Sequence, residues 1–289
     1  MTDPVPIAVP RKGRPLEAVL ERVASVAGVT PLADSISSAL RYEKGITKGA
    51  ITPEAGPYTR LTNYSDPTSA QSPEYTLVRD NRDGKPRRIV FDSVTLDIAG
   101  TTVRLVGREE PFRALRTHSF ALGFDAADLV LEEVVELRPT GLGSLSDLND
   151  RIDPQESDVK VVSGMDDTVY HTLLATPQKL PAGQQLDRSF VADYEGPVCI
   201  SPRYERLVTA VVGTHALDGC HFTYPGSNQD EETAIADTGF GVYLTVTGST
   251  AREHGLILGA NLFPSETVLL ENTVETTPRV QTVREAVAP

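Results

Sequence analysis

The sequence predicts an α/β protein with largely parallel sheets, and three observations carry that prediction. Short apolar runs alternate with segments of helical period along most of the chain. Near the N-terminus, Pro6-Ile-Ala-Val-Pro10 runs through the basic turn Arg11-Lys12-Gly13-Arg14 into a helical pattern. Further on, Phe240-Gly-Val-Tyr-Leu-Thr-Val246 feeds the small loop Thr247-Gly248-Ser249-Thr250, after which a second helical segment starts.

The elements follow in order. Residues 15–27 place Leu16, Val19, Leu20, Val23 and Val26 at helical spacing, with proline in the first turn. Residues 28 to about 87 have the weakest pattern. The part around 42–88 reads as an irregular insertion, ordered or a mobile flap, with the Asp83-Gly84 turn signal inside it. Lys44, Lys48, Arg60, Arg79, Arg82, Lys85, Arg87 and Arg88 fall there. They are either a solvated basic loop or a reserve of charge for a phosphate-rich ligand.

Beyond it, 89–91, 94–98 and 102–106 read as strands, with Ala99-Gly100 turning the last two. Residues 109–117 read as a helix, and apolar runs at 120–124 and 127–131 flank Asp125. A polar excursion at 139–156 precedes strands at 159–162 and 168–175. A strand at 197–201, a helix at 203–212, a turn-rich strand at 215–225 and a helix at 230–236 lead to the loop at 247. Apolar runs at 256–258, 262–263 and 267–271 follow, then a helical segment at 278–288.

Composition bounds the function. The 289 residues are enough for two domains, and the formal net charge of −13 argues against a nucleic-acid surface. Such acidity suits a soluble protein in a high-salt cytoplasm. Cys199 and Cys220 have neither metal-ligand spacing nor a disulfide framework, which fits a reducing compartment. No apolar run reaches transmembrane length and Met-Thr-Asp-Pro-Val-Pro lacks a signal-peptide core, so the expected location is cytoplasmic, away from membranes.

Two places suit an anion. In the loop, Ser249 or Thr250 is expected to cap the helix. Gly248 permits close approach, the backbone N–H groups point outward, and the hydroxyls of Thr247, Ser249 and Thr250 add donors. The alternative is an ordinary capped turn. In the basic turn, Lys12, Gly13 and Arg14 precede a helix, and the alternative is a solvated loop.

The ordered set of motifs resembles ATP phosphoribosyltransferase, the first enzyme of histidine biosynthesis, in its short form without a regulatory domain. The start I-A-V-P-R-K-G-R-P-L-E, Gly123 to Asp128, Leu217-Asp-Gly219, Ala236-Asp237, Thr247 to Leu256 and Phe263 to Asn272 carry the resemblance. The chain departs from the pattern too. Leu129 is followed by Val130, Leu131, Glu132 and Glu133 where the family has G-I-T-G. Phe222 and Tyr243 stand where it has acidic residues. The stretch from Tyr42 to Arg88 is longer than the family's usual connection.

The resemblance implies a two-lobed type II periplasmic-binding-protein-like fold. Lobe one would hold residues 1–174 and 259–289, and lobe two residues 175–258 with the phosphate loop. It implies transfer of a phosphoribosyl group from phosphoribosyl pyrophosphate to a heteroaromatic acceptor, with Mg2+ carried by the pyrophosphate, and a homo-oligomer. Thr247, Gly248, Ser249 and Thr250 would hold the 5′-phosphate, Lys12, Gly13 and Arg14 the pyrophosphate, and Asp218 or Asp237 the ribose hydroxyls. His221 and His254 are the histidines considered as bases, and no catalytic base is identified. Asp128, Val130, Leu131 and Glu132 would lie on the acceptor side, where bulk and charge disfavour ATP. That makes a divergent paralogue with another acceptor the leading expectation. ATP phosphoribosyltransferase itself and a non-catalytic binding module are the alternatives.

Overall fold

The computed structural model describes residues 3–79, 87–226 and 229–288. The basic residues Arg82 and Lys85 and the Asp83-Gly84 turn lie outside the described residues.

The chain divides into two units, one of residues 1–125, 158–167 and 267–289, the other of residues 126–157 and 168–266. The first unit opens with β1 (Val5–Pro10), α1 (Gly13–Ala27), α2 (Thr30–Thr47), α3 (Pro57–Tyr64), β2 (Glu74–Val78), β3 (Arg88–Ile98), β4 (Thr101–Arg108), α4 (Pro111–Arg116) and β5 (Leu122–Ala126). The second opens with α5 (Ala127–Glu133). The chain returns to the first for β6 (Val159–Gly164). It then builds most of the second unit: β7 (Val169–Ala175), α6 (Arg188–Asp193), β8 (Gly196–Cys199), α7 (Glu205–Val212), β9 (Cys220–Thr223), α8 (Glu231–Thr238), β10 (Phe240–Thr245), α9 (Ser249–Glu253) and β11 (Ile257–Ser265). It ends in the first unit with β12 (Thr267–Asn272) and α10 (Pro278–Val287).

Among the described residues the first unit's sheet has the order β2-β3-β4-β1-β5-β12-β6, and the second unit's β11-β7-β10-β8-β9. The stretches β4-β1-β5-β12-β6 and β9-β8-β10-β7-β11 follow one scheme. A leading strand lies between two that follow it. Next comes a strand that enters just after a crossing from the other unit, then a last strand antiparallel to it. This is the α/β, two-lobed type II periplasmic-binding-protein-like fold.

The sheets are mixed, a correction to the largely parallel expectation. β1 is parallel to β4 and β5, but β3 is antiparallel to both β2 and β4. The turn explains the last pairing: Ala99 and Gly100 have φ of 47° and 74°, and two left-handed residues in succession close a hairpin matched to the strand twist.

The unit boundaries also differ from the expected lobes. Residues 126–157, 168–174 and 259–266 belong to the second unit. Strand pairing is the reason, because β7 is antiparallel to both β10 and β11, while α5 packs on α7.

The first unit's core gathers Ile7, Val9, Leu16, Val19, Phe91, Leu105, Leu122, Leu269 and Val283, among others. Burying each such side chain contributes on the order of 1.5–3 kcal/mol. The second has a cluster of Leu174, Cys199, Ala234, Ile235, Ala251 and Leu256.

The expected irregular insertion carries regular elements in its described part. α2 buries Ala33, Ile36, Leu40 and Glu43, a helical stripe ending in a carboxylate. Glu43 accepts two hydrogen bonds from Arg60 of α3, at 2.7 and 3.0 Å, and one from Tyr64 Oη at 2.8 Å. Arg60 is thus a structural partner of α2 and no part of a ligand-facing basic loop.

Candidate active site

In the first unit, β1 delivers the basic turn to the N-terminus of α1. Lys12 is the cap residue and Gly13 the first helical one. Arg11 locks the turn to the sheet: its carbonyl accepts from Phe91 N at 3.1 Å, and its Nε donates to Gly107 O at 3.1 Å. The next two cations each meet a carboxylate. Lys12 Nζ lies 3.5 Å from Glu109 Oε2, and Arg14 Nη1 lies 3.3 Å from Asp167 Oδ2 while also donating to the Asp167 backbone carbonyl. Asp167 is itself held by Thr267, which donates from N and Oγ1 at 2.7 Å each. The turn is therefore a fixed basic knuckle, and an incoming phosphate has to compete with Glu109 and Asp167.

In the second unit, β10 runs into the hydroxyl loop. Thr245 and Thr172 hydroxyls lie 2.6 Å apart, and Thr172 Oγ1 donates to Asn261 Oδ1 at 3.0 Å, tying the strand end to β7 and β11. Gly248 is the cap of α9, with φ 67° and no side-chain cap. The expected cap at Ser249 or Thr250 is corrected by one or two residues, because only glycine takes this left-handed cap at low cost. A Cβ on Gly248 would meet Leu258 Cδ2 at 2.0 Å. Leu258 thus fills the space beneath the loop.

Thr247 takes over the capping role. Its hydroxyl accepts from Ser249 N at 3.4 Å and lies 3.1 Å from Ser249 Oγ. Arg252 Nη1 donates to Thr247 O at 3.0 Å and closes the loop from behind. The first bond within α9 is Arg252 N to Gly248 O at 3.1 Å, so the N–H groups of Thr250 and Ala251 precede the ladder. Thr247, Ser249 and Thr250 are exposed and Gly248 is buried. Exposed hydroxyls and N–H groups outside the helical ladder are donors of the kind an oxyanion could accept from.

The carboxylates expected at the ribose are elsewhere engaged. Asp218 is exposed and lies 3.1 Å from His215 Nδ1. Asp237 is exposed in the last turn of α8 and accepts from Gln229 Nε2 at 2.8 Å. Among the described residues, no hydrogen bond or ion pair joins either one to the 247–250 loop. His254, just after α9, lies 3.4 Å from Thr233 Oγ1 and 4.0 Å from Asp230 Oδ1 of the α8 cap. His221 is exposed on β9.

Sequence reasoning noted Tyr243 on the same strand but missed its neighbours Glu231 and Glu232. The Tyr243 hydroxyl is pushed up to about 12 by burial first and then by Glu231 and Glu232 of α8. Tyr204 stands near enough to add to that shift. The signal was the run Asp230-Glu231-Glu232, which reads only as a helix start.

The acceptor-side expectation is corrected. Val130 and Leu131 are fully buried, so neither presents bulk to a ligand. Glu132 accepts Leu207 N at 2.9 Å in the first turn of α7, and burial pushes its carboxyl above the usual glutamate range. Asp128 is buried, accepts from Ser265 Oγ at 3.0 Å and lies 3.3 Å from His171 Nε2. His171 is fully buried and packs T-shaped against Tyr204, ring centres 4.8 Å apart, a second pairing that the sequence did not announce.

Mg2+ was expected on the substrate. Among the described residues no group of three or more His, Cys, Asp or Glu is placed to hold a metal ion. No helix among the described residues is long and apolar enough to cross a membrane.

No curated protein matches the chain. The family described as halobacterial ATP phosphoribosyltransferase matches residues 1–289. Similar solved structures include the ATP phosphoribosyl transferase (HisG:HisZ) complex from Thermotoga maritima, 12% identical over 98% of each chain with a TM-score of 0.40. YhfZ from Shigella flexneri is 9% identical over 99% of this chain and 87% of its own, TM-score 0.45. The arginine-bound Gly52Ala mutant of ArgBP from T. maritima is 10% identical over 65% and 76%, TM-score 0.31.

Proposed function

This chain belongs to the halobacterial ATP phosphoribosyltransferase family, and from that premise we propose that it transfers the phosphoribosyl group of phosphoribosyl pyrophosphate to a ring nitrogen of ATP. The observation that carries the reading is the exposed Thr247-Gly248-Ser249-Thr250 loop between β10 and α9. The case for a different acceptor loses its support, since Val130 and Leu131 are core residues and Glu132 is engaged by α7.

The reaction breaks the bond between the anomeric carbon and the pyrophosphate oxygen, and the electron pair leaves with pyrophosphate. The ring nitrogen of ATP supplies the pair for the new C–N bond. The transition state resembles an oxocarbenium ion, so the gain comes from holding the ends of the substrate and stabilising the leaving charge. The hydroxyls of Thr247, Ser249 and Thr250 and the early N–H groups of α9 hold the 5′-phosphate. Lys12 and Arg14 stabilise the pyrophosphate as it gains charge, drawing away from Glu109 and Asp167. Mg2+ bound to the phosphates would neutralise part of that charge. Glu231 and Glu232 suit hydrogen bonds from ribose hydroxyls better than Asp218 or Asp237, which have partners of their own. Pyrophosphate release on mixing ATP, phosphoribosyl pyrophosphate and Mg2+ tests the reading. No release above the rate without ATP would end it.

A further inference from the structure

We propose that Tyr243 is a positioning residue for sugar recognition: its hydroxyl donates to Glu231 and turns the free carboxylate oxygen toward the ribose hydroxyls of phosphoribosyl pyrophosphate. The inference rests on the phosphoribosyl transfer reading and deepens it with a residue that belongs neither to the loop nor to the basic turn.

The placement follows from the strand and helix periods. A Cβ on Gly241 would meet Ile235 Cγ1 at 2.7 Å, so that face of β10 looks onto α8. Side chains two positions apart share a strand face, and Tyr243 therefore looks the same way. In α8, Glu231 stands one helical turn before Ile235, on the same stripe. Only Gly239, at φ 95°, separates α8 from β10, and the two elements pack together, so the chain doubles back there. The start of α8 thus lies beside the later residues of β10, and Glu231 meets Tyr243. The upward shift of the Tyr243 hydroxyl agrees. Burial is its first cause, the charges of Glu231 and Glu232 follow, and a hydrogen bond to Glu231 is among the rest.

The ring and the hydroxyl of Tyr243 face different partners. The ring packs on the second unit's apolar cluster together with Leu258, which fills the space beneath Gly248. The ring thus belongs to the floor of the phosphate loop, and the hydroxyl links that floor to a carboxylate. Glu231 has acceptor capacity left. Of the three acids that open α8, Asp230 is spent on the cap, accepting from Thr233 N at 2.9 Å. Glu231 and Glu232 are half-buried and have no ion-pair partner among the described residues. An ionised carboxylate is acceptor-only, with sites for several donors, so one oxygen can take the phenol while the other takes a sugar hydroxyl.

The test is calorimetric titration of the full chain with phosphoribosyl pyrophosphate and Mg2+. Tyr243→Phe keeps the ring and removes only the hydroxyl, and is expected to bind about tenfold more weakly than wild type. Glu231→Ala is expected to weaken binding by about tenfold or more. The double variant is expected to fall within about twofold of Glu231→Ala, because the hydroxyl acts through the carboxylate. Melting curves check that each variant is folded. Wild-type affinity in Tyr243→Phe overturns the proposal, and so does a wild-type chain that does not bind the probe. A further loss of the same size when Tyr243→Phe is added to Glu231→Ala also overturns it, since the tyrosine would then only pack beneath the loop. Failure of the transfer reading shows separately, as a wild-type chain that binds phosphoribosyl pyrophosphate but releases no pyrophosphate with ATP.

Discussion

Glu132 Oε1 accepts the backbone N–H of Leu207 at 2.9 Å, so this carboxylate closes the first turn of α7. On the proposed reading, Glu132 serves as a partner of α7 and ATP is the acceptor. Steady-state assays with ATP are expected to give roughly 1 s⁻¹ or more, with KM below about 1 mM. Turnover far below that, together with rapid turnover of a smaller heteroaromatic acceptor, would restore the divergent-paralogue expectation.

The same carboxyl predicts a pH effect on stability. Burial raises its folded pKa above the unfolded value, with the Leu207 N–H acting in the opposite direction. A raised carboxyl binds its proton more tightly in the folded state. Its contribution is fully present below the unfolded pKa, roughly 4.3, and is lost as pH rises through the folded value. Glu132→Gln keeps an oxygen for Leu207 and removes the titration. Melting curves from pH 4 to 7 should show the variant gaining on wild type as pH rises; parallel curves would contradict this.

The loop prediction separates binding from folding. Thr250→Ala removes an exposed hydroxyl and is expected to raise KM for phosphoribosyl pyrophosphate about tenfold, with the melting temperature unchanged. Gly248→Val does not serve the same purpose. Its Cβ would stand 2.0 Å from Leu258 Cδ2 at a φ of 67°, so it should destabilise by about 1–3 kcal/mol from overpacking alone. A Thr250→Ala enzyme with wild-type KM would remove the loop from the site.

For the basic turn, Lys12→Ala is expected to lower kcat about tenfold or more, since an amine proposed to meet the leaving pyrophosphate is lost. The ion pair with Glu109 is half-exposed and holds little of the fold together. The readout is single-turnover pyrophosphate release. An unchanged rate would make the turn a structural knuckle only.

The buried pair of α2 and α3 predicts an asymmetry. Arg60→Ala leaves Glu43 buried without its partner and should cost about 3–5 kcal/mol. Replacing Glu43 and Arg60 together by leucine should cost far less, because no buried charge then stands alone. Urea denaturation of the single and double variants measures the difference, and equal losses would show that the pair does not act as one unit.

By itself, the sequence determined the local units. The strand, basic turn and helix at residues 5–27 and the strand, glycine loop and helix at 240–253 form where expected, because their periodicity, turn residues and caps lie within a few positions of each other. The helices near 203–212, 230–236 and 278–288 were legible for the same reason. Tertiary structure decided what faces what. β12, from residues 267–272, lies between β5 and β6, and β7 lies between β10 and β11, so the unit boundaries depend on pairings that no local pattern contains. Val130 and Leu131 read equally well as cleft or core until α5 packs on α7 and β11. Glu43 sits in an apolar stripe and becomes intelligible only with Arg60 beside it, 17 positions away. Asp128 meets His171 across 43 positions. A side chain's partner, and with it the choice between ligand, cap and core, is set by chain brought from elsewhere, and the energy of that choice is absent from the local sequence.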